Sequence, residues 1–174
     1  GNAKVEEIFQ QWFEKQGRFA GRAEGGVVLI LQSAEAAALE FALMSLPVTE
    51  IIVCGHSECG AMAVLASGRN QLKSPNLRSW LRHGEVSLNE LKAGRNLGIS
   101  LERHNLLSQL NVLSQLEHLK TYPIVRKRLE EGSLRLHGWW FDIREADVYC
   151  YEPKDGRFHL IDDAYAQRLL GRTE

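Results

Sequence analysis

Two short, wholly apolar runs, each followed by an alanine-rich helical stretch, set the narrowest limit on how this chain folds. They are Val27-Val28-Leu29-Ile30-Leu31 and Ile51-Ile52-Val53-Cys54. Runs of that length without polar alternation suit strands buried on both faces, as in a parallel sheet covered by helices. Ala34 to Leu46 reads as a helix halted at Pro47, and Gly60 to Ala66 as a helix directly behind the second run. Strand, helix, strand, helix in that order predicts a right-handed parallel α/β unit.

The remaining pattern extends the same architecture. Val5, Ile8, Phe9, Trp12 and Phe13 follow helical spacing within residues 4–16, giving a bulky apolar stripe that must pack on something. Glycines at 17, 21, 25 and 26 then break the pattern before the first strand. Leu77, Trp80 and Leu81 belong to one helical segment, and Leu101 to Leu119 to a longer, heavily buried one. Pro123 opens a further helix that Gly132 ends. Three β-like runs follow: Leu134 to Ile143, Val148 to Tyr151, and Phe158 to Ile161. The expected fold is α/β, a mainly parallel sheet flanked by helices, in a single domain over 1–174.

Composition excludes several classes. The chain has 174 residues, 44% hydrophobic and 25% charged, which rules out disorder and a disulfide scaffold. A net charge of −1 gives no electrostatic support for nucleic acid. No apolar run approaches the roughly 20 residues of a membrane span. The N-terminus carries no basic-then-apolar leader, so a cytoplasmic location, or a compartment reached after processing, is expected. Three cysteines, an odd number, suit reduced thiols that bind metal or sit in the core.

Chemistry concentrates in Cys54-Gly55-His56-Ser57-Glu58-Cys59-Gly60-Ala61-Met62. A buried strand ends there, Gly55 permits a sharp turn, and His56 and Cys59 stand three residues apart where a helix begins. Ligands of open α/β sheets gather at this carboxyl end of the strands. A helix N-terminus favours anions, a thiolate among them. Imidazole and thiolate together suit Zn²⁺, so His56 and Cys59 are the expected metal ligands. A His-x-x-Cys pair without this setting is more often a loop histidine and a buried thiol. Cys54 shares strand parity with His56, but a position two residues before the turn is expected in the core, as is Cys150.

These residues resemble the β-class carbonic anhydrases. Gly55-His56-Ser57-Glu58-Cys59-Gly60-Ala61-Met62 matches that family's second zinc motif. Glu35-Ala36-Ala37-Ala38-Leu39-Glu40-Phe41-Ala42 resembles the helix that precedes it. Leu116-Glu117-His118-Leu119-Lys120-Thr121-Tyr122-Pro123, Leu136-His137-Gly138-Trp139 and Asp142-Ile143 resemble its later signatures. The resemblance implies a zinc lyase interconverting CO₂ and bicarbonate through attack of a metal-activated hydroxide. It also implies a homodimer or higher homo-oligomer, in which helix 4–16 serves as a dimerisation arm.

One departure bears on the site. The family carries an earlier Cys-x-Asp-x-Arg motif, which supplies the other zinc thiolate and an Asp/Arg dyad. Here no Cys precedes Cys54 and no Asp precedes Asp142, so the catalytic dyad has no counterpart. Either a segment of the parent protein is absent near Leu31 and Gln32, or the chain is continuous and His56 and Cys59 form a half-site. Deleting a central strand would expose sheet edges, which favours the first reading. The second implies an inactive assembly or anion-binding relative. Proton removal needs a shuttle, for which His83, His104, His118, His137 and His159 qualify by residue type alone. His137 is expected to be structural, and Trp139 and Trp140 to be packing residues. A nucleotide-binding reading fails, because the turn lacks both G-x-G-x-x-G and a P-loop lysine.

Overall fold

The structure is a computed structural model that describes residues 27–30, 36–68, 70, 72–98 and 101–171. Helix 4–16 and the junction at 31–32 lie outside the described residues. Five strands are described: β1 (Val27–Ile30), β2 (Glu50–His56), β3 (Arg135–Asp142), β4 (Asp147–Glu152) and β5 (Arg157–Leu160). They form one sheet in the order β1-β2-β3-β4-β5. The pairs β1/β2 and β2/β3 are parallel, whereas β3/β4 and β4/β5 are antiparallel. The α/β expectation therefore holds with a refinement: the sheet is mixed. The cause is local, because short turns join β3 to β4 and β4 to β5, and only antiparallel strands can be linked so directly.

Seven helices are described: α1 (Ala36–Ser45), α2 (Gly60–Ser67), α3 (Pro75–Trp80), α4 (Glu85–Lys92), α5 (Arg103–Lys120), α6 (Pro123–Glu130) and α7 (Asp163–Gly171). A 3₁₀ turn, Leu81–Gly84, joins α3 to α4. Leu77 and Leu81 thus fall in two elements rather than one. Pro123 occupies the first turn of α6, and Gly132 follows it at φ +67°, a conformation glycine adopts without a Cβ clash. Helix α7 has no counterpart in the sequence reading. Its cap is Asp162, whose Oδ1 accepts from the Tyr165 amide at 2.7 Å.

Both faces of the sheet are covered. Ile51 and Val53 of β2 face the cluster built by α1, α5 and α6, including Leu39, Leu110, Val112 and Leu116. The alternate residues Ile52 and Cys54 face the other cluster, with Trp139, Val148, Cys150, Tyr165 and Ala166. Ile51, Ile52 and Val53 are fully buried, each contributing about 1.5–3 kcal/mol through lost contact with water. Helix α5 crosses β2 and β3 closely because two glycines lie beneath it. A Cβ at Gly55 would sit 2.7 Å from Val112 Cγ2, and one at Gly138 would sit 2.9 Å from Leu116 Cδ1. This close approach brings the N-terminal half of α5 against the end of β2.

Candidate metal centre

Strand β2 ends at His56, and the chain turns through Ser57 and Glu58 into Cys59, the N-cap of α2. The turn is built from hydrogen bonds with the two neighbouring elements. The Ser57 amide donates to the Phe141 carbonyl at 2.9 Å, carrying the β2/β3 pairing one step past the strand. The buried Ser57 hydroxyl donates to Asp142 Oδ1 at 3.2 Å and accepts from the Ile143 amide at 2.8 Å. Asp142 and Ile143 thereby support the turn from β3.

Glu58 takes a left-handed backbone, φ +57°, which costs a side-chain-bearing residue about 1–2 kcal/mol. Asn105 of α5 holds it there. Its Oδ1 accepts from the Glu58 amide at 2.8 Å, and its Nδ2 donates to Glu58 Oε1 at 3.2 Å. Arg144 donates to Glu58 Oε2 at 3.0 Å. The Asn105 hydrogen bond is the largest influence on the Glu58 carboxyl; burial opposes it, and the Arg144 charge then helps to hold the carboxyl below its ordinary range.

His56 is fixed at both ends. Its Nδ1 lies 2.8 Å from the Ser57 carbonyl. A carbonyl only accepts, so Nδ1 carries the hydrogen, and in the neutral ring Nε2 keeps its lone pair. That is the tautomer a metal ligand needs, oriented as backbone carbonyls orient ligating histidines. The His56 carbonyl accepts from Ser108 Oγ at 2.8 Å, and Ser108 in turn accepts from Trp140 Nε1 at 3.2 Å. Cys59 is buried among Met62, Leu65, Leu81 and Leu107. Its side chain makes no cap hydrogen bond, so the sulfur stands at the positive end of α2 without serving the helix.

Cys54 behaves differently. Burial pushes its thiol up to about 11, and the residue packs on the Ile52–Trp139 side of the sheet. It therefore remains a core thiol, and Cys150, also buried, lies in the same cluster. Trp139 and Trp140 are buried packing residues as well. The described residues hold one group of three metal-capable side chains, Glu58, Glu102 and His104, whose ligand atoms lie within 4.8 Å of one another. Glu58 is already engaged there by Asn105 and Arg144. Nothing in the sequence pointed to Asn105, Ser108 or Arg144, because their partners stand 47 to 86 positions away along the chain.

The family model described as carbonic anhydrase matches residues 5–148. A carbonic anhydrase of Synechocystis sp. is 40% identical over 147 residues, covering 80% of this chain and 47% of the relative. One from Pseudomonas aeruginosa is 36% identical over 135 residues, covering 78% of this chain and 61% of the relative. The chain thus spans about half to three fifths of the curated relatives it matches. Among solved structures, the β-carbonic anhydrase CcaA aligns with a TM-score of 0.71 at 25% identity, covering 91% of this chain and 89% of that one. A tetrameric β-carbonic anhydrase of Sordaria macrospora shares the fold, with a TM-score of 0.58 at 22% identity, covering 91% and 93%.

Proposed function

Since the chain belongs to the β-class carbonic anhydrase family, we propose that it holds Zn²⁺ through His56 and Cys59 and interconverts CO₂ and bicarbonate. The observation that carries this reading is the His56 ring. Its Nδ1 is committed to the Ser57 carbonyl, leaving Nε2 as a ready donor beside a buried cysteine at a helix N-terminus. The donors fit zinc in kind, one imidazole nitrogen and one sulfur. In number they supply two of the three protein ligands that a catalytic zinc takes. When bound, the metal supplies Lewis acidity that brings water towards neutrality as a nucleophile for CO₂.

The chain's own residues supply position. Ser57 and Asn105 hold the turn, Ser108 holds the His56 backbone, and the apolar wall of Met62, Leu65 and Leu107 shields Cys59. The third ligand belongs to a parental segment near Leu31 and Gln32, since no Cys precedes Cys54. A homodimer or larger homo-oligomer completes the proposal, with helix 4–16 as its arm. Phe41 and Met44 on the outer face of α1 are 63% and 74% exposed, an apolar surface that association would cover. No described helix is long and apolar enough to cross a membrane. A cytoplasmic location fits the reduced cysteines.

The missing Cys-x-Asp-x-Arg motif favours one other reading, a catalytically inactive relative that assembles or binds anions. Zinc content and stopped-flow CO₂ hydration separate the two. Stoichiometric zinc with hydration suppressed by chelators supports the enzyme. A folded oligomer without zinc or hydration supports the inactive relative. Peptide mass mapping across Leu31 and Gln32 tests the absent segment: extra residues between them mean the protein carries it, and a direct Leu31–Gln32 bond counts against it.

A further inference from the structure

Hydration of CO₂ by water forms one C–O bond and releases one proton per bicarbonate, and that proton must leave the site before the next turnover. The described histidines differ sharply in their access to it. His137 is bonded to Glu50 Oε2 at 2.7 Å, at the opposite end of β2 from His56. His159 is bonded to Asp155 at 2.6 Å, and His118 lies against Tyr122 near the far end of α5. His83 lines a cavity beside the 3₁₀ turn whose wall includes neither His56 nor Cys59. His104, in the first turn of α5, faces the metal-site turn itself. Its Nε2 lies 3.5 Å from Glu58 Oε1, and Glu58 is the residue immediately before Cys59.

We propose that His104 relays the product proton from the His56–Cys59 site to buffer. The proposal rests on the carbonic anhydrase reading. The ring is suited to both halves of a relay. Its side chain is 21% exposed, so it meets solvent while staying in place. Its other nitrogen, Nδ1, lies 3.6 Å from Glu102 Oε2. The neutral imidazole takes the proton through water on one nitrogen and returns it to a buffer base. Imidazole is the side chain that most often does such general acid–base work. The charged groups around it are Glu58 from the β2–α2 turn, Glu102 on its own segment and Arg144 from the β3–β4 turn. Arg144 donates to Glu58 Oε2, and Glu58 Oε1 faces the His104 ring.

The test compares the zinc-loaded chain with His104→Ala by stopped-flow hydration in dilute and in imidazole-rich buffer, alongside zinc content and melting temperature. The expected result is a loss of kcat of about tenfold or more in dilute buffer. With it, kcat/KM, zinc content and melting temperature stay unchanged, and added imidazole restores the rate. Hydration indifferent to the substitution overturns the relay and leaves the enzyme reading intact. A loss accompanied by lower zinc content or melting temperature, and not restored by imidazole, also overturns it and makes His104 structural. Absence of hydration in the unsubstituted chain overturns the enzyme reading and the relay with it.

Discussion

The two ends of β2 solve opposite problems with similar residues. At its start, Glu50 is fully buried, yet it accepts from Arg135 and from His137 Nε2 at 2.7 Å, so carboxylate, guanidinium and imidazole satisfy one another. At its end, His56 spends one ring nitrogen on the Ser57 carbonyl and keeps the other lone pair, while Cys59 contributes nothing to capping its helix. The first is a closed polar knot that specifies how β2 pairs with β3. The second leaves a nitrogen donor and a sulfur outside its own hydrogen bonding, and open donors are what a metal requires. A histidine is thus read by what its partner leaves over, and not by its presence beside a charged group.

The contrast is broken most severely at the open end. His56→Ala or Cys59→Ser lowers zinc affinity by about a hundredfold or more, beyond the ~10–100-fold typical of losing a group that only orients a ligand. Cys54→Ala in the same metal titration leaves zinc content unchanged, because that thiol is held up to about 11 in the core. At the closed end the effects reverse. Glu50→Ala takes the carboxylate away from a partly buried imidazole and a half-exposed guanidinium, at a cost of about 3 kcal/mol, and leaves zinc binding intact. Thermal melting reads this as a drop of about 6–12 °C for a chain of this size.

Ser108→Ala sharpens the comparison, because it acts between the ends. It removes the acceptor for the Trp140 indole and the donor to the His56 carbonyl. The buried N–H then costs about 1–3 kcal/mol in a denaturant titration. Metal affinity also falls, by about tenfold, a combination the Glu50 variant does not produce. The smallest effect concerns pH. The folded carboxyl of Glu58 titrates below its ordinary value, so its contribution to stability is present above the unfolded range and is lost as pH falls through the folded value. Acid unfolding of Glu58→Gln should therefore lack part of the steepness seen in the parent below pH 4.5.

How much of this was legible beforehand depends on whether the signal was local. The strands at 27–30 and 50–56, helix α2 and the His56–Cys59 pair follow from apolar runs, a glycine turn and residue type within a few positions. Strand β2 runs two residues past Cys54, to His56, because the Ser57 amide finds the Phe141 carbonyl and keeps the pairing alive. The clamp of Glu58 by Asn105 and the support of His56 by Ser108 join segments 47 and 52 positions apart, and no periodicity encodes them. The same holds for the Glu50–His137 bond, 87 positions apart. His137 read as structural from its isolation in sequence, but its partner emerges only when β3 lies beside β2 in register, Ile52 against His137. Helix α7 escaped notice because its cue is a short Asp-Asp cap after a strand, which reads equally well as a turn.

The most direct test of the central claim is X-ray absorption at the zinc edge of the metal-loaded chain. Zinc held by His56 and Cys59 predicts a mixed shell, with sulfur at about 2.3 Å and nitrogen at about 2.0–2.1 Å. A shell of oxygen and nitrogen alone, at about 2.0–2.2 Å, would place the metal on Glu58, Glu102 and His104 and contradict the assignment.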